Sequence, residues 1–318
     1  MEQREFGRTG QRFSVLGYGA GAVGGLFVRG SAAEQEAALG TARDAGITYV
    51  DTAPAYGDGE SERNLGRALR ALGWAPILGT KVRLPAAARG DIAGAIAASL
   101  DASLARLGRE SVDLLQLHDP IGGPGGYSIP QVLEEALPAL QRARAAGKCR
   151  WVGLTALGET AALRQVLAGG GFDAAQIPFN ILNPSWLAPR HAGLPGQDFA
   201  QLGKEAGLGL LGIRILAAGA LSGEAARHPI AMPQVAPIAS AAEYATDLAN
   251  ARRLLPLVEA GIADSLAELA TRFAVFAPGM GCALIGTASL GQLQAGLAAV
   301  AKGPLPPAAL ARINELFA

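Results

Sequence analysis

Only two cysteines, Cys149 and Cys282, occur in the 318 residues. They are too few and too isolated for a disulfide framework or a metal site, and the scarcity suits a reducing compartment. Neither sign of charge is in excess: Lys+Arg and Asp+Glu number 27 each, so no long-range field draws the chain to nucleic acid or to an anionic membrane surface. The segment 1–13 is charged throughout and lacks an apolar core. It therefore resembles neither a signal peptide nor an anchor, and the expectation is a cytoplasmic protein. The stretch 273–301 carries no charge, but Pro278, Gly279, Gly281 and Gly286 interrupt it and 289–292 is polar. A strand, a turn and a helix explain it better than a membrane span. Aromatics are scarce at 5%, so any core is built mainly from aliphatic residues.

What is present is regular. Half of the residues are hydrophobic and 43 are Gly, and short apolar runs alternate with helical stretches, the pattern of βαβ units around a parallel sheet. The expected strands are 14–19, 48–51, 77–81, 112–118, 150–155, 174–180, 209–214 and 283–286. The expected helices are 32–45, 61–72, 92–107, 131–146, 160–168, 198–206, 244–260 with 266–276, and 290–300. Ser31 with Glu34, and Ser61, read as helix openings; Gly73, Gly108, Gly147, Gly169 and Gly207 stand just past helix ends.

Eight strands, each followed by helix, imply an α/β fold: a (β/α)8 TIM barrel, one domain over 1–318, with an N-terminal extension and long C-terminal-face loops. The loops 119–130, 182–197 and 222–242 are those expected to set specificity. Gly19, Gly21 and Gly24 have the spacing of a dinucleotide fingerprint. No helix is expected before Ser31, and the next strand-end carboxylate, Asp51, comes late, so these glycines read as a flexible first loop.

Chemistry concentrates at strand ends. The second, third and fourth strands end on Asp51, Lys81 and His118, and Tyr56 lies five residues beyond Asp51. A barrel gathers all four at one rim. A carbonyl that accepts a hydride develops negative charge on oxygen and needs an acid that is neutral beforehand. A phenol suits this role when a nearby cation eases loss of its proton. Lys81 supplies that cation, Asp51 holds the ammonium, and His118 donates a hydrogen bond to the same oxygen.

The runs Asp51-Thr-Ala-Pro-Ala-Tyr56-Gly-Asp-Gly-Glu-Ser-Glu-Arg63, Thr80-Lys81-Val82, Leu117-His118-Asp119 and Gly147-Lys-Cys-Arg-Trp-Val-Gly153 resemble, in order, successive signatures of the aldo-keto reductase family. The resemblance implies a barrel that uses NADP(H) or NAD(H), no metal, and a small-molecule carbonyl or sugar substrate; it leaves oligomeric state open. It implies a catalytic tetrad of Asp51, Tyr56, Lys81 and His118. Thr155 and Gln176 match positions that hold the nicotinamide carboxamide, with Asn180 beside them. Ile213, next to Arg214, falls where many relatives place an aromatic ring against the nicotinamide. Leu216, Gly219 and Leu221 match the loop over the pyrophosphate; Gly286, Thr287, Ser289 and Gln292 match the adenosine-phosphate loop.

Three departures stand out. Thr155-Ala156 replaces a Ser-Asn pair, Ile213 replaces the stacking ring, and Ala288 and Gly296 replace a basic residue and an asparagine. No Lys or Arg occurs from 273 to 301, so relaxed cofactor choice is expected unless Arg214, Arg272 or Lys302 reaches in. The other activity compatible with this fold is a nicotinamide-binding regulatory subunit with little turnover. His191 and His228 read as loop residues, Trp186, Tyr127 and Phe179 as pocket wall or packing, and Arg214 as an anion contact or an ordinary ion pair.

Overall fold

A computed structural model of the chain describes residues 1–187, 198–238 and 240–317. Eight strands close a parallel barrel: β3 (Leu16–Gly19), β4 (Tyr49–Asp51), β5 (Ile77–Val82), β6 (Val112–Leu117), β7 (Cys149–Thr155), β8 (Ala174–Pro178), β9 (Gly209–Ile213) and β10 (Cys282–Ile285). Each pairs with its neighbour in sequence, and β10 returns to β3. The (β/α)8 expectation holds. The register places Asp51 opposite Gly79, Lys81 opposite Gln116 and Thr155 opposite Gln176. The groups of interest therefore share one layer at the C-terminal ends.

The N-terminal extension is more than decoration. β1 (Gln3–Glu5) and β2 (Arg12–Ser14) form an antiparallel hairpin that packs Phe6 and Phe13, stacked at 3.9 Å, against the lower barrel. Phe13 also lies 5.0 Å from Tyr49 and 6.4 Å from Trp151. Burying each ring contributes roughly 2–3 kcal/mol, so the hairpin closes the barrel at the end opposite the strand C-termini. Its three-residue strands, full of charged residues, carry too little alternation to be read as strands.

Between the strands lie α2 (Ala32–Asp44), α3 (Glu60–Ala71), α4 (Ile92–Leu107), α5 (Leu137–Ala145), α6 (Thr160–Ala168), α7 (Phe199–Glu205), α10 (Leu266–Val275) and α11 (Leu290–Ala301), preceded by the short α1 (Leu26–Arg29). The Ser31–Glu34 capping box forms as expected. Other boundaries differ. α1 is a helical turn inside the first loop, entered from Gly25 at φ 88. α3 is capped by Gly59, whereas Ser61 is buried and its hydroxyl donates to Ala20 O at 2.7 Å.

The expected helix 244–260 is broken into α8 (Tyr244–Arg252) and α9 (Leu255–Glu259), with Pro256 in the first turn of the second piece. The stretch before α5 is a π turn, Gln131–Ala136. A last helix, α12 (Pro307–Phe317), was not expected; it buries Ala309, Ile313 and Phe317 at four-residue spacing. No helix among the described residues is long and apolar enough to cross a membrane.

Candidate active site

Alternation along a strand sends residues two apart to the same face. Tyr49 and Asp51, Gly79 and Lys81, Leu114 and Gln116 thus share the barrel interior. A Cβ on Gly79 would overlap the Tyr49 hydroxyl, so this glycine is what admits a tyrosine beneath Asp51. Lys81 is fully buried and donates through Nζ to Asp51 Oδ2 and to Thr52 O, the latter at 2.8 Å. The other oxygen, Asp51 Oδ1, accepts from Tyr49 Oη at 3.0 Å, Gln116 Nε2 at 3.2 Å and Gln176 Nε2 at 2.6 Å. Gln116 Oε1 is buried and has no hydrogen-bond partner among the described residues.

Burial disfavours the Lys81 ammonium, but the charge of Asp51 and the nearby Tyr56 outweigh it and hold its pKa above the ordinary value. Tyr49 is pushed well up by burial and by Asp51, so it serves as a neutral donor. Tyr49 and Gln116 were not read from the sequence. Their signal was available: each stands two residues before a strand-end group already singled out.

Tyr56 sits half-buried in the turn after β4, with Lys81 Nζ 4.9 Å from its ring centroid. The His118 ring meets it edge-on, with centroids 6.3 Å apart at 90°. The turn is held by Thr52 N–H donating to Gly79 O at 2.9 Å and by the Thr52 and Ser61 hydroxyls, 2.8 Å apart. Asp58 reverses the chain at φ 52. His118 is just past β6. Burial, then the charges of Lys81 and Arg83, depress its pKa to about 3, so the ring is neutral near pH 7. Its Nδ1 lies 2.8 Å from Thr155 Oγ1, and Thr155 Oγ1 donates to Gln176 Oε1 at 3.4 Å. Thr155 and Gln176 therefore link His118 to Asp51, in addition to any contact with a cofactor.

At the rim, Ile213 ends β9 and Arg214 follows in the left-handed region at φ 59. The Arg214 carbonyl accepts from Asn180 Nδ2 at 2.9 Å, while its guanidinium donates only weakly to Ala236 O at 3.4 Å. Leu216 leads into a 3-10 turn, Ala217–Ser222, in which Ala217, Ala218 and Gly219 all have positive φ (47, 59 and 107). Alanines rarely adopt this conformation; the turn is held by Ala217 N–H donating to Arg214 O at 2.8 Å and by Gly219 and Leu221 N–H donating to Leu216 O at 2.8 and 3.2 Å. Leu221 is buried in the same turn.

Across the mouth, Gly286 is exposed and Ser289 caps α11 by accepting from Gln292 N–H at 3.3 Å. Gln292 Oε1 accepts from Ala288 N–H at 2.7 Å. Thr287 turns its hydroxyl inward, 3.1 Å from Tyr18 Oη. Arg272 is spent on Glu268 and on the carbonyls of Ile262, Gly303 and Pro304, and Lys302 on Asp264 and Glu268. Of the three cations expected to rescue the loop, only Arg214 remains at the mouth.

The segment after β9 crosses the face to the first loop: Met232 N–H donates to Val23 O at 3.0 Å, and Arg29 Nε to Ile230 O at 2.5 Å. Outward of Thr155, a cavity of about 460 Å³ is lined by Ala156, Gly158, Pro178, Asn183 and Ser240 among others. The aromatic candidates are packing: Trp186 and Phe179 are fully buried, 5.5 Å apart, and Tyr127 lies under Arg89 at 4.9 Å. His228 is exposed, its Nδ1 accepting from Ile230 N–H at 3.4 Å. His191 lies outside the described residues, as does part of the expected loop 182–197.

The model of the Aldo/keto reductase family matches residues 15–318, and the chain belongs to this family, whose members use nicotinamide cofactors. It is 38% identical over 164 residues to an L-galactose dehydrogenase of Arabidopsis thaliana, covering 49% of each chain. It is 35% identical over 183 residues to a D-threo-aldose 1-dehydrogenase of a Pseudomonas species, covering 50% of this chain and 54% of that one. The chain thus spans about half the length of these two relatives. A probable voltage-gated potassium channel subunit beta of Arabidopsis thaliana is 27% identical over 335 residues, covering 100% and 97%. Among solved structures, an aldo-keto reductase from Bacillus halodurans in its holo form superposes with a TM-score of 0.75 at 22% identity, covering 100% and 97%; that likeness speaks to the fold.

Proposed function

We propose that this chain is a single-domain, cytoplasmic oxidoreductase that interconverts a hydroxyl and a carbonyl on a sugar or a related small molecule. The Tyr56 ring with Lys81 Nζ 4.9 Å from its centroid and His118 edge-on at 6.3 Å is the observation that carries the reading. The bound nicotinamide supplies or accepts the hydride. Tyr56 gives a proton to the carbonyl oxygen in reduction and takes it back in oxidation. Lys81, 4.9 Å from the ring, stabilises negative charge there, and Asp51 keeps the ammonium in place. His118, edge-on to the Tyr56 ring, orients the substrate. The sugar assignment is supported by the two dehydrogenase relatives named above.

The capped start of α11 fits a phosphate of a dinucleotide, with chemistry suited to backbone N–H donors, and the turn at 217–219 faces it across the mouth. Leu216, Gly219 and Leu221 would hold its pyrophosphate, Gly286, Ser289 and Gln292 its adenosine end, and Ile213, Thr155 and Gln176 its nicotinamide end. Gln176 has its amide nitrogen committed to Asp51, and its oxygen already accepts from Thr155 Oγ1 at 3.4 Å, so a carboxamide would share that oxygen. With Arg272 and Lys302 engaged elsewhere, NAD(H) supports turnover with kcat/KM within about ten-fold of NADP(H), or better, because a missing charge-assisted hydrogen bond removes NADP preference.

The test is oxidation of L-galactose and other aldoses with both cofactors. Tyr56→Phe is expected to lower kcat by at least ~10²-fold with cofactor affinity near normal. Loss of cofactor binding with turnover retained refutes the assignment. The near full-length likeness to a channel subunit favours a second reading, a nicotinamide-binding regulatory subunit. Tight cofactor binding without turnover of any sugar or aldehyde would select it.

A further inference from the structure

The side chains that join His118 to Asp51 form a chain of hydrogen bonds whose direction is set at one end. The Asp51 carboxylate, paired with Lys81, only accepts. Gln176, 2.6 Å away, must therefore present its NH2 group to it, which turns Oε1 to the opposite side. That oxygen faces Thr155 Oγ1 at 3.4 Å, and an amide oxygen only accepts, so the single hydroxyl hydrogen of Thr155 points to it. Having spent that hydrogen, Thr155 Oγ1 can only accept from its other partner, His118 Nδ1, at 2.8 Å. A neutral imidazole carries one proton, and this contact places it on Nδ1.

The reverse arrangement, Thr155 donating to a bare Nδ1, would leave Gln176 Oε1 buried without a donor. Both Thr155 and Gln176 are almost completely buried, so water does not readily replace the missing partner. Burial and the cations Lys81 and Arg83 keep the ring from taking a second proton.

We propose that Thr155 is a positioning residue that fixes His118 in the Nδ1-protonated tautomer, so that Nε2 faces the mouth as a hydrogen-bond acceptor for a substrate hydroxyl. This rests on the oxidoreductase reading for its last clause only. It reverses the expectation that His118 donates to a carbonyl oxygen. In the resting site the donor to that oxygen is Tyr56, and the ring accepts from a second hydroxyl of the substrate, as a sugar carries beside its reacting carbon, which leaves the reacting hydroxyl's own hydrogen to Tyr56.

The test uses the full chain, free of cofactor, labelled with 15N in histidine, and reads long-range 1H–15N correlations from the imidazoles. Loss of one signal set in His118→Gln assigns His118 apart from His191 and His228. The expected pattern is a protonated Nδ1 with a bare Nε2, constant from about pH 5 to pH 8. Thr155→Val is expected to move His118 toward the Nε2-protonated pattern, and Thr155→Ser to retain the native one. Gln176→Leu, which frees the hydroxyl hydrogen of Thr155, should act like Thr155→Val and serves should that variant fail to fold. An Nε2-protonated His118 in the native chain, or a pattern indifferent to both Thr155→Val and Gln176→Leu, overturns the proposal. Because the tautomer is read without turnover, failure of every sugar as substrate would count against the oxidoreductase reading and not against this one.

Discussion

Cofactor choice is the property most directly open to a designed gain. The loop 286–292 carries no cation, and the structure shows where one can be added. Ala288 is 3% exposed, so a long basic side chain there would have to displace core. Gln292 is exposed in the first turn of α11, one turn from the cap Ser289, so an arginine at 292 reaches the same mouth without repacking. A charge-assisted hydrogen bond to a phosphate contributes roughly 1.5–3 kcal/mol, or about 10- to 150-fold in affinity, and solvent exposure places this one toward the lower end.

The cost is the bond from Ala288 N–H to Gln292 Oε1, about 1 kcal/mol of loop order. Gln292→Arg should therefore raise the ratio of kcat/KM for NADP(H) over NAD(H) by about ten-fold at low salt, an effect that shrinks as ionic strength rises. The assay is initial rates with both cofactors on one sugar, in native and variant enzyme, at two salt concentrations. A ratio that moves less than about two-fold at low salt, or a native preference for NADP(H) above about a hundred-fold, refutes the reasoning and returns attention to Arg214.

Lys81→Met removes the cation beside Tyr56 and leaves Asp51 buried against neutral donors only. Unfolding should show a loss of about 3–5 kcal/mol, and the pH–rate profile should change shape; a profile merely scaled down contradicts the role given to Lys81. Asp119, buried after His118, is lifted by burial to about 6 against a usual 3.8, even though Leu84 N–H and Arg83 favour its charged form. The folded state then binds a proton more readily than the unfolded one, so this group makes stability fall as pH rises from about 4 to about 6, by up to about 3 kcal/mol. Asp119→Asn, which keeps an acceptor for Leu84, should flatten that part of the denaturation profile; a slope identical to the native protein's would exclude Asp119 as its source.

The barrel was legible because each βα unit carries its own signal: an apolar run of the right length, a cap such as Ser31, a glycine past the helix end. The strand ends were legible for the same reason, which is why the order of residues alone places Asp51, Lys81 and His118 at one rim. What escaped depends on contacts between distant segments. The 3–5 and 12–14 hairpin takes its order from Phe6 and Phe13 filling the barrel floor, not from its own pattern. Ser61 looked like a cap, but the loop after β3 draws its hydroxyl inward to Ala20, and Gly59 takes the cap position. Trp186 and Phe179, open as pocket walls in the sequence, are drawn into the core beside Phe273. Tyr49 and Gln116 were within reach of period-two reading from Asp51 and His118.

That last point explains how the barrel carries a buried ammonium at all. Placing Lys81 out of water is unfavourable unless its partner is close and the partner's remaining lone pairs are also satisfied. Asp51 meets both conditions by taking Lys81 on one oxygen and Tyr49, Gln116 and Gln176 on the other. Those three donors come from three different strands, and each occupies an inward position set by register. Gly79 completes the arrangement by omission, since any side chain there would drive the Tyr49 hydroxyl off Asp51. A closed parallel barrel delivers such convergence because neighbouring strands aim side chains at a common axis. The geometry of the mouth is therefore inherited from the layer beneath it, and a substitution at Tyr49, Gly79 or Gln116 is expected to shift Lys81 through Asp51.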